Sequence, residues 1–158
     1  MPKRSAGLLA YRRTATDGVE VLIAHPGGPL FVKKDDGHWT VPKGELDGDE
    51  PIAVAAREFT EELGIDPPAG EWIALGEITQ KGGKRVEAWA VDGTSIGEID
   101  AVVSNHFTME WPPKSGRTQS FPEVDRAMWA DLETAARKLK DAQVPFLDRL
   151  LAALDSVD

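Results

Sequence analysis

Between Pro51 and Gly64 the chain reads PIAVAAREFTEELG, a segment with helix signals at both ends. Proline suits a first helical position, where its missing N–H is not needed. Asp49 is the expected N-cap, and Gly64 is the usual stop just past the last helical residue. At helical spacing Ile52, Ala56, Phe59 and Leu63 form one apolar stripe, expected to pack on the core. Arg57, Glu58, Glu61 and Glu62 occupy a separate sector of roughly 140°, with Glu58 about 60° from Glu61 and about 40° from Glu62. Three carboxylates are thus confined to one side of one helix.

Such carboxylates repel one another unless a cation sits among them. An ordinary solvated acidic face is the plainer explanation, since like charges at these spacings cost only a few tenths of a kcal/mol each. The surrounding charge favours a divalent-metal site instead. Residues 44–66 carry eight acids and, as their only base, Arg57, whereas residues 1–43 have a balance of +3. A basic start beside a concentrated acidic segment suits an anionic substrate held against metal. The net charge of −9 argues against non-specific nucleic-acid binding. With no cysteine, disulfides and zinc thiolates are excluded, which fits a cytoplasmic protein. No apolar run is long enough to span a membrane, and the Met1–Gly7 start lacks a signal core. The 158 residues suit one domain, 1–158, with a single sizeable core.

Strand patterns are expected at 7–13 and 19–25 around a turn at 16–18, and at 39–43. A further pair, 72–80 and 85–91, reads as a hairpin closed by Lys81-Gly-Gly-Lys84. Residues 92–121 read as irregular, with a strand-like stretch at 101–107 and a rigid Trp111-Pro-Pro segment. A last strand at 126–130 precedes helices at 132–140 and 145–154. Strands and helices mix without strict alternation, which is an α+β pattern.

The segment Gly44–Ile65 resembles the signature box of the Nudix hydrolases, G-x5-E-x7-R-E-U-x-E-E-x-G-U, where U is aliphatic. Arg57-Glu58-Phe59-x-Glu61-Glu62-x-Gly64-Ile65 matches its second half, with an aromatic at Phe59. The first half is one residue short: Asp49 has the offset from Arg57, and Glu50 the offset from Gly44, of the first acidic position. The resemblance implies a Nudix-type α/β/α sandwich with a mixed β-sheet. It also implies Mg²⁺-dependent hydrolysis of a nucleoside diphosphate linked to another group, with Mn²⁺ as a substitute. The stretches Glu110–Arg117 and Phe121–Arg126 further resemble NTP pyrophosphohydrolases of that family, and the C-terminal part resembles its diadenosine tetraphosphate hydrolases.

Glu58, Glu61 and Glu62 are then the metal ligands, joined by the backbone at Gly44, and Arg57 braces a carboxylate or pairs with Asp49 or Glu50. A further carboxylate from outside the box is expected at Glu123, with Glu110 as runner-up; either Glu58 or Glu123 is the general base. Substrate contacts are expected from Arg4, Lys43, Trp111, Lys114 and Arg117, with Ser104, Asn105 and Thr108 available to read a base edge. The histidines show no metal-ligand spacing and read as loop or strand-end residues. The expected partner is a small nucleotide, with neither nucleic acid nor membrane, and a homodimer is left open. The competing reading is a catalytically silent Nudix module that binds a nucleotide as a sensor.

Overall fold

A computed structural model of the protein describes residues 3–16 and 18–157. Met1, Pro2, Asp17 and Asp158 lie outside the described residues, so the turn expected at 16–18 is seen only through its flanks. There Thr14 N–H donates to the Gly18 carbonyl at 2.9 Å.

The strands are β1 (Arg4–Arg13), β2 (Val19–Pro26), β3 (Lys43–Glu45), β4 (Ile73–Thr79), β5 (Arg85–Asp92), β6 (His106–Glu110), β7 (Thr118–Pro122) and β8 (Val124–Asp131). The helices are α1 (Pro51–Leu63), α2 (Leu132–Lys138) and α3 (Pro145–Val157). One sheet runs β4-β5-β1-β2-β8, with β3 attached to β1. It is mixed: β1 and β5 are parallel along Arg4–Tyr11, while the other pairs are antiparallel.

Alternation along β1 divides the apolar residues between two layers, because successive side chains of a strand point to opposite faces. Leu8 and Ala10 join Leu22, Val54, Ala55, Phe59 and Leu63 under α1. Leu9 and Tyr11 join Val21, Ile23, Phe146, Leu150 and Leu154 under α3. Helices therefore cover both faces of a mixed sheet, as the α/β/α expectation required.

The site depends on how β1 divides one edge. Its C-terminal part pairs with β2, and its start pairs with β3 through Ser5↔Glu45, Ala6↔Gly44 and Gly7↔Lys43. Gly7 allows this crossing, since a Cβ there would lie 2.7 Å from the Pro42 carbonyl oxygen. That oxygen accepts from Leu8 N–H at 3.1 Å.

Several sequence expectations shift. The strand expected at 39–43 lies at Lys43–Glu45, preceded by single bridges from Thr40 to Ala24 and from Trp39 to Leu139. The stretch 92–121 is not irregular throughout: β6 and β7 form their own two-stranded hairpin, and 101–105 is not strand. α2 stops at Lys138, because Leu139 turns extended and Lys140 N–H bonds to the Trp39 carbonyl.

Candidate active site

α1 is turned relative to its sequence-derived stripe. Its buried residues are Val54, Ala55, Phe59, Glu62 and Leu63, while Ile52 is 53% exposed. The buried face is thus rotated by roughly 60° from the expected one. Tertiary packing overrides the apolar stripe, and the result is chemical: the rotation draws Glu62 inward, half-buries Glu58, and leaves Arg57 exposed. The expected Asp49 cap is also corrected. Glu50 is the capping residue, without a side-chain hydrogen bond, and the Asp49 carboxylate faces Arg57 at 3.4 Å.

Glu123 reaches this face along a chain of backbone hydrogen bonds that begins at the end of α1. Final-turn carbonyls have no partner inside a helix. Here the Glu61 carbonyl accepts from Asn105 N–H at 2.7 Å, and the Asn105 carbonyl accepts from Glu123 N–H at 2.9 Å. The Glu123 carbonyl then accepts from Gly27 N–H at 2.9 Å. Buried Ser104 fixes the next residue, its hydroxyl oxygen accepting from Val124 N–H at 3.0 Å. Gly64, in the left-handed region at φ 75°, allows the 103–105 segment to approach: a Cβ there would lie 2.7 Å from the Val103 carbonyl oxygen.

Carboxylate oxygens of Glu58, Glu62 and Glu123 consequently lie within 4.8 Å of one another. Burial raises the Glu62 carboxyl to about 8, with the Glu58 charge as the next cause; Lys43 opposes it. Burial also raises Glu58 to about 7, with Glu61 next and Arg57 opposing. Gly44 is closed against the group, since a Cβ on it would fall 2.2 Å from Glu58 Cδ. Crowded oxygen donors that are costly to ionise together fit a hard divalent cation such as Mg²⁺, which takes oxygen ligands and carries the compensating charge. Beside them opens a cavity of about 400 Å³ whose lining includes Lys43, Gly44, Arg57, Glu58, Asn105 and Glu123.

The structure gathers some of the expected residues and separates others. Glu61 raises Glu58 but lies outside the group of converging oxygens, 3.9 Å from the Arg57 guanidinium. Arg57 also lies 3.9 Å from Glu58, so it braces two glutamates and Asp49 at once. Lys43 is half-buried on the cavity wall, and burial lowers its ammonium pKa. Arg4 lines a neighbouring concavity and pairs with Glu77 and Glu87 at 3.6 and 3.7 Å. Trp111, Lys114 and Arg117 sit at the β6–β7 turn and do not line the carboxylate cavity. Glu110 is there too, accepting from Lys114 N–H.

Sequence reasoning missed the part played by His25. It is fully buried, 2.7 Å from both an Asp125 carboxylate oxygen and the Lys34 carbonyl, and edge-on to Trp39. It therefore ties the 27–37 loop to β8 beside Glu123. Its place at the end of an apolar strand, just before Pro-Gly-Gly, was the available signal. Lys84, from the β4–β5 turn, is the second omission and lines the carboxylate cavity.

The fold and this glutamate group define a family, and comparison with known proteins agrees: residues 1–153 match the model of the NUDIX domain. The chain belongs to the NUDIX family. It is 30% identical over 149 residues to an 8-oxo-(d)GTP phosphatase of Mycolicibacterium smegmatis, covering 87% of this chain and 37% of that protein. The chain thus spans little more than a third of that relative. Among solved structures, a C. elegans Ap4A hydrolase in a binary complex is similar with TM-score 0.62 and 23% identity, over 98% of each chain. The NUDIX domain of Shewanella oneidensis NrtR complexed with ADP ribose is similar with TM-score 0.62 and 13% identity, over 98% of this chain and 89% of that one. Among the described residues no helix is long and apolar enough to cross a membrane.

Proposed function

We propose that the protein is a Mg²⁺-dependent nucleotide pyrophosphohydrolase, acting on a nucleoside triphosphate or a dinucleoside polyphosphate. The observation that carries this reading is the convergence of Glu58, Glu62 and Glu123 beside a cavity with Lys43 on its wall. The named activities of the mycobacterial phosphatase and the Ap4A hydrolase support the substrate class.

Glu58, Glu62 and Glu123 would hold the metal, with Glu61 and the Gly44 backbone contributing as the box implies. When bound, the metal supplies charge neutralisation and Lewis acidity toward the phosphate oxygens. The remaining work belongs to the chain. Glu58, half-buried on the cavity wall, is placed to take a proton from water attacking phosphorus. Arg57 keeps Glu58 and Glu61 in position. Lys43 places a point charge against a phosphate oxygen. Trp111, Lys114 and Arg117, on the β6–β7 turn, would form an outer rim for the nucleoside, and Arg4 would meet a distal phosphate only by leaving its glutamates.

A nucleotide panel with Mg²⁺ or Mn²⁺, products identified by mass, tests the reading. Pyrophosphate release from a triphosphate, or ATP release from a dinucleoside tetraphosphate, is expected, and Glu62→Gln should abolish either. Nucleotide binding without turnover across the panel would favour the sensor reading instead.

A further inference from the structure

The segment His25-Pro-Gly-Gly, outside the signature box, meets every residue from Pro122 to Asp125. A Cβ on Gly27 would overlap the Pro122 carbonyl oxygen, and Gly27 N–H donates to the Glu123 carbonyl at 2.9 Å. Pro26 is the strand partner of Val124, and His25 Nδ1 lies 2.7 Å from an Asp125 carboxylate oxygen. Gly28, at φ 93°, is closed against β6, since a Cβ there would lie 2.8 Å from the Phe107 ring.

β2 and β8 pair residue for residue from Glu20↔Asp131 to His25↔Arg126, and then Pro26 pairs with Val124. Asp125 is therefore the extra residue of a β-bulge, a device that bends a strand and re-aims its side chains. Regular alternation would set Val124, three residues from Ala127, on the opposite face. Instead Val124, Ala127 and Trp129 all pack in the layer under α1. Seating Val124 there brings the residue before it, Glu123, to the face of α1 that carries Glu58 and Glu62.

A residue left out of the ladder needs another hold, and the His25 ring supplies it. The ring is fully buried, edge-on to Trp39 with centroids 5.1 Å apart, and its Nε2 lies 2.7 Å from the Lys34 carbonyl. A carbonyl only accepts, so Nε2 donates to it, and a hydrogen between Nδ1 and the carboxylate completes the contact. Asp125 lies at the surface and is drawn inward through that carboxylate.

We propose that His25 and Asp125 are positioning residues for Glu123: their contact holds the bulge that delivers the third carboxylate to the metal group. The proposal rests on the metal-binding reading of Glu58, Glu62 and Glu123, and it adds two residues that act only through Glu123.

Binding of Mn²⁺ alone to the full chain, followed by electron paramagnetic resonance of the free ion, tests this apart from turnover. Asp125→Ala should weaken Mn²⁺ by about tenfold or more, and Asp125→Asn, which still offers an oxygen to Nδ1, should restore it. In a Glu123→Gln protein the same Asp125→Ala change should alter affinity by no more than about twofold, because the group it acts through is gone. His25→Gln, which keeps a donor toward Lys34 but none toward Asp125, should behave like Asp125→Ala. Equal losses with and without the Glu123 carboxylate, or full affinity in Asp125→Ala, overturn the assignment. Amide hydrogen exchange in EDTA supplies a metal-free measure: in Asp125→Ala, Glu123 and Val124 should exchange about tenfold faster or more, with α3 unchanged. Unchanged exchange at both residues also overturns it. Failure of the wild type to bind Mn²⁺ would sink the metal reading, while the exchange rates still decide whether His25 and Asp125 hold the bulge.

Discussion

The carboxylate cavity and a neighbouring one lined by Lys81, Lys84 and Lys140 meet at Lys84 and crowd charges of opposite sign, and they are assembled in opposite ways. On the acidic side two of the three converging oxygens come from one turn of α1, and only Glu123 is brought in from elsewhere. On the basic side the lysines come from β3, the β4–β5 turn and the segment after α2, up to 97 residues apart between Lys43 and Lys140. Local construction leaves a sequence signature, whereas assembly from distant segments leaves none. Both sides share one physical consequence: groups crowded with their like hold or lose protons more readily than free ones.

The comparison can be broken most sharply at the acidic side. Glu58→Gln should lower kcat by on the order of 10²–10⁴, the range typical of a lost general base, with far-ultraviolet circular dichroism unchanged. Activity within a factor of a few of the wild type would remove Glu58 from the chemistry.

Gly44→Ala should act on stability and activity together. Its methyl group would overlap the Glu58 side chain, since the nearest atom would lie 2.2 Å away. Overpacking of this kind costs about 1–3 kcal/mol, readable by urea denaturation, and it should displace Glu58 from Glu62. Full activity with native stability would show that the carboxylate group tolerates movement.

Ser104→Ala tests the chain of hydrogen bonds that delivers Glu123. It leaves Val124 N–H buried without its acceptor, at a cost of about 1–3 kcal/mol. Metal affinity should fall with stability if the strand end carrying Glu123 moves. A loss of stability with unaltered Mg²⁺ affinity would detach Glu123 from the metal group.

The smallest expected effect is on pH dependence. Glu58 and Glu62 titrate at about 7 and about 8 in the folded, metal-free protein, above the ordinary glutamate value. Between that ordinary value and about 8 the unfolded chain binds fewer protons than the folded one, so stability falls as pH rises. Melting in EDTA should therefore drop by several degrees from pH 5 to pH 8. Glu62→Gln should flatten the slope, and Mg²⁺ should protect more at pH 8, where its ligands are ionised. A melting temperature that rises over this interval would contradict the burial of Glu62.

Much of the architecture could be read before any coordinates. Paired strands in 4–26, the β4–β5 hairpin, α1 and the two C-terminal helices follow from periodicity and turn residues, which act over a few neighbours. The β6–β7 hairpin was missed, because exposed residues such as Thr118, Gln119 and Ser120 carry no apolar alternation. The rotation of α1 was missed because Ile52 looks as apolar as Phe59, and only packing against the sheet, chiefly β1, selects Val54 and Ala55 over it.

Residues 57–64 determined by themselves that three carboxylates and an arginine would share one side of a helix ending at Gly64. A 3.6-residue repeat leaves no other arrangement. Tertiary structure decided which of them converge. Rotation of α1 buried Glu62 and left Glu61 against Arg57, and hydrogen bonding from the end of α1 through Asn105 drew in Glu123. It alone decided the lysine cavity, because the approach of Lys43, Lys84 and Lys140 is a property of packed segments that no local spacing encodes.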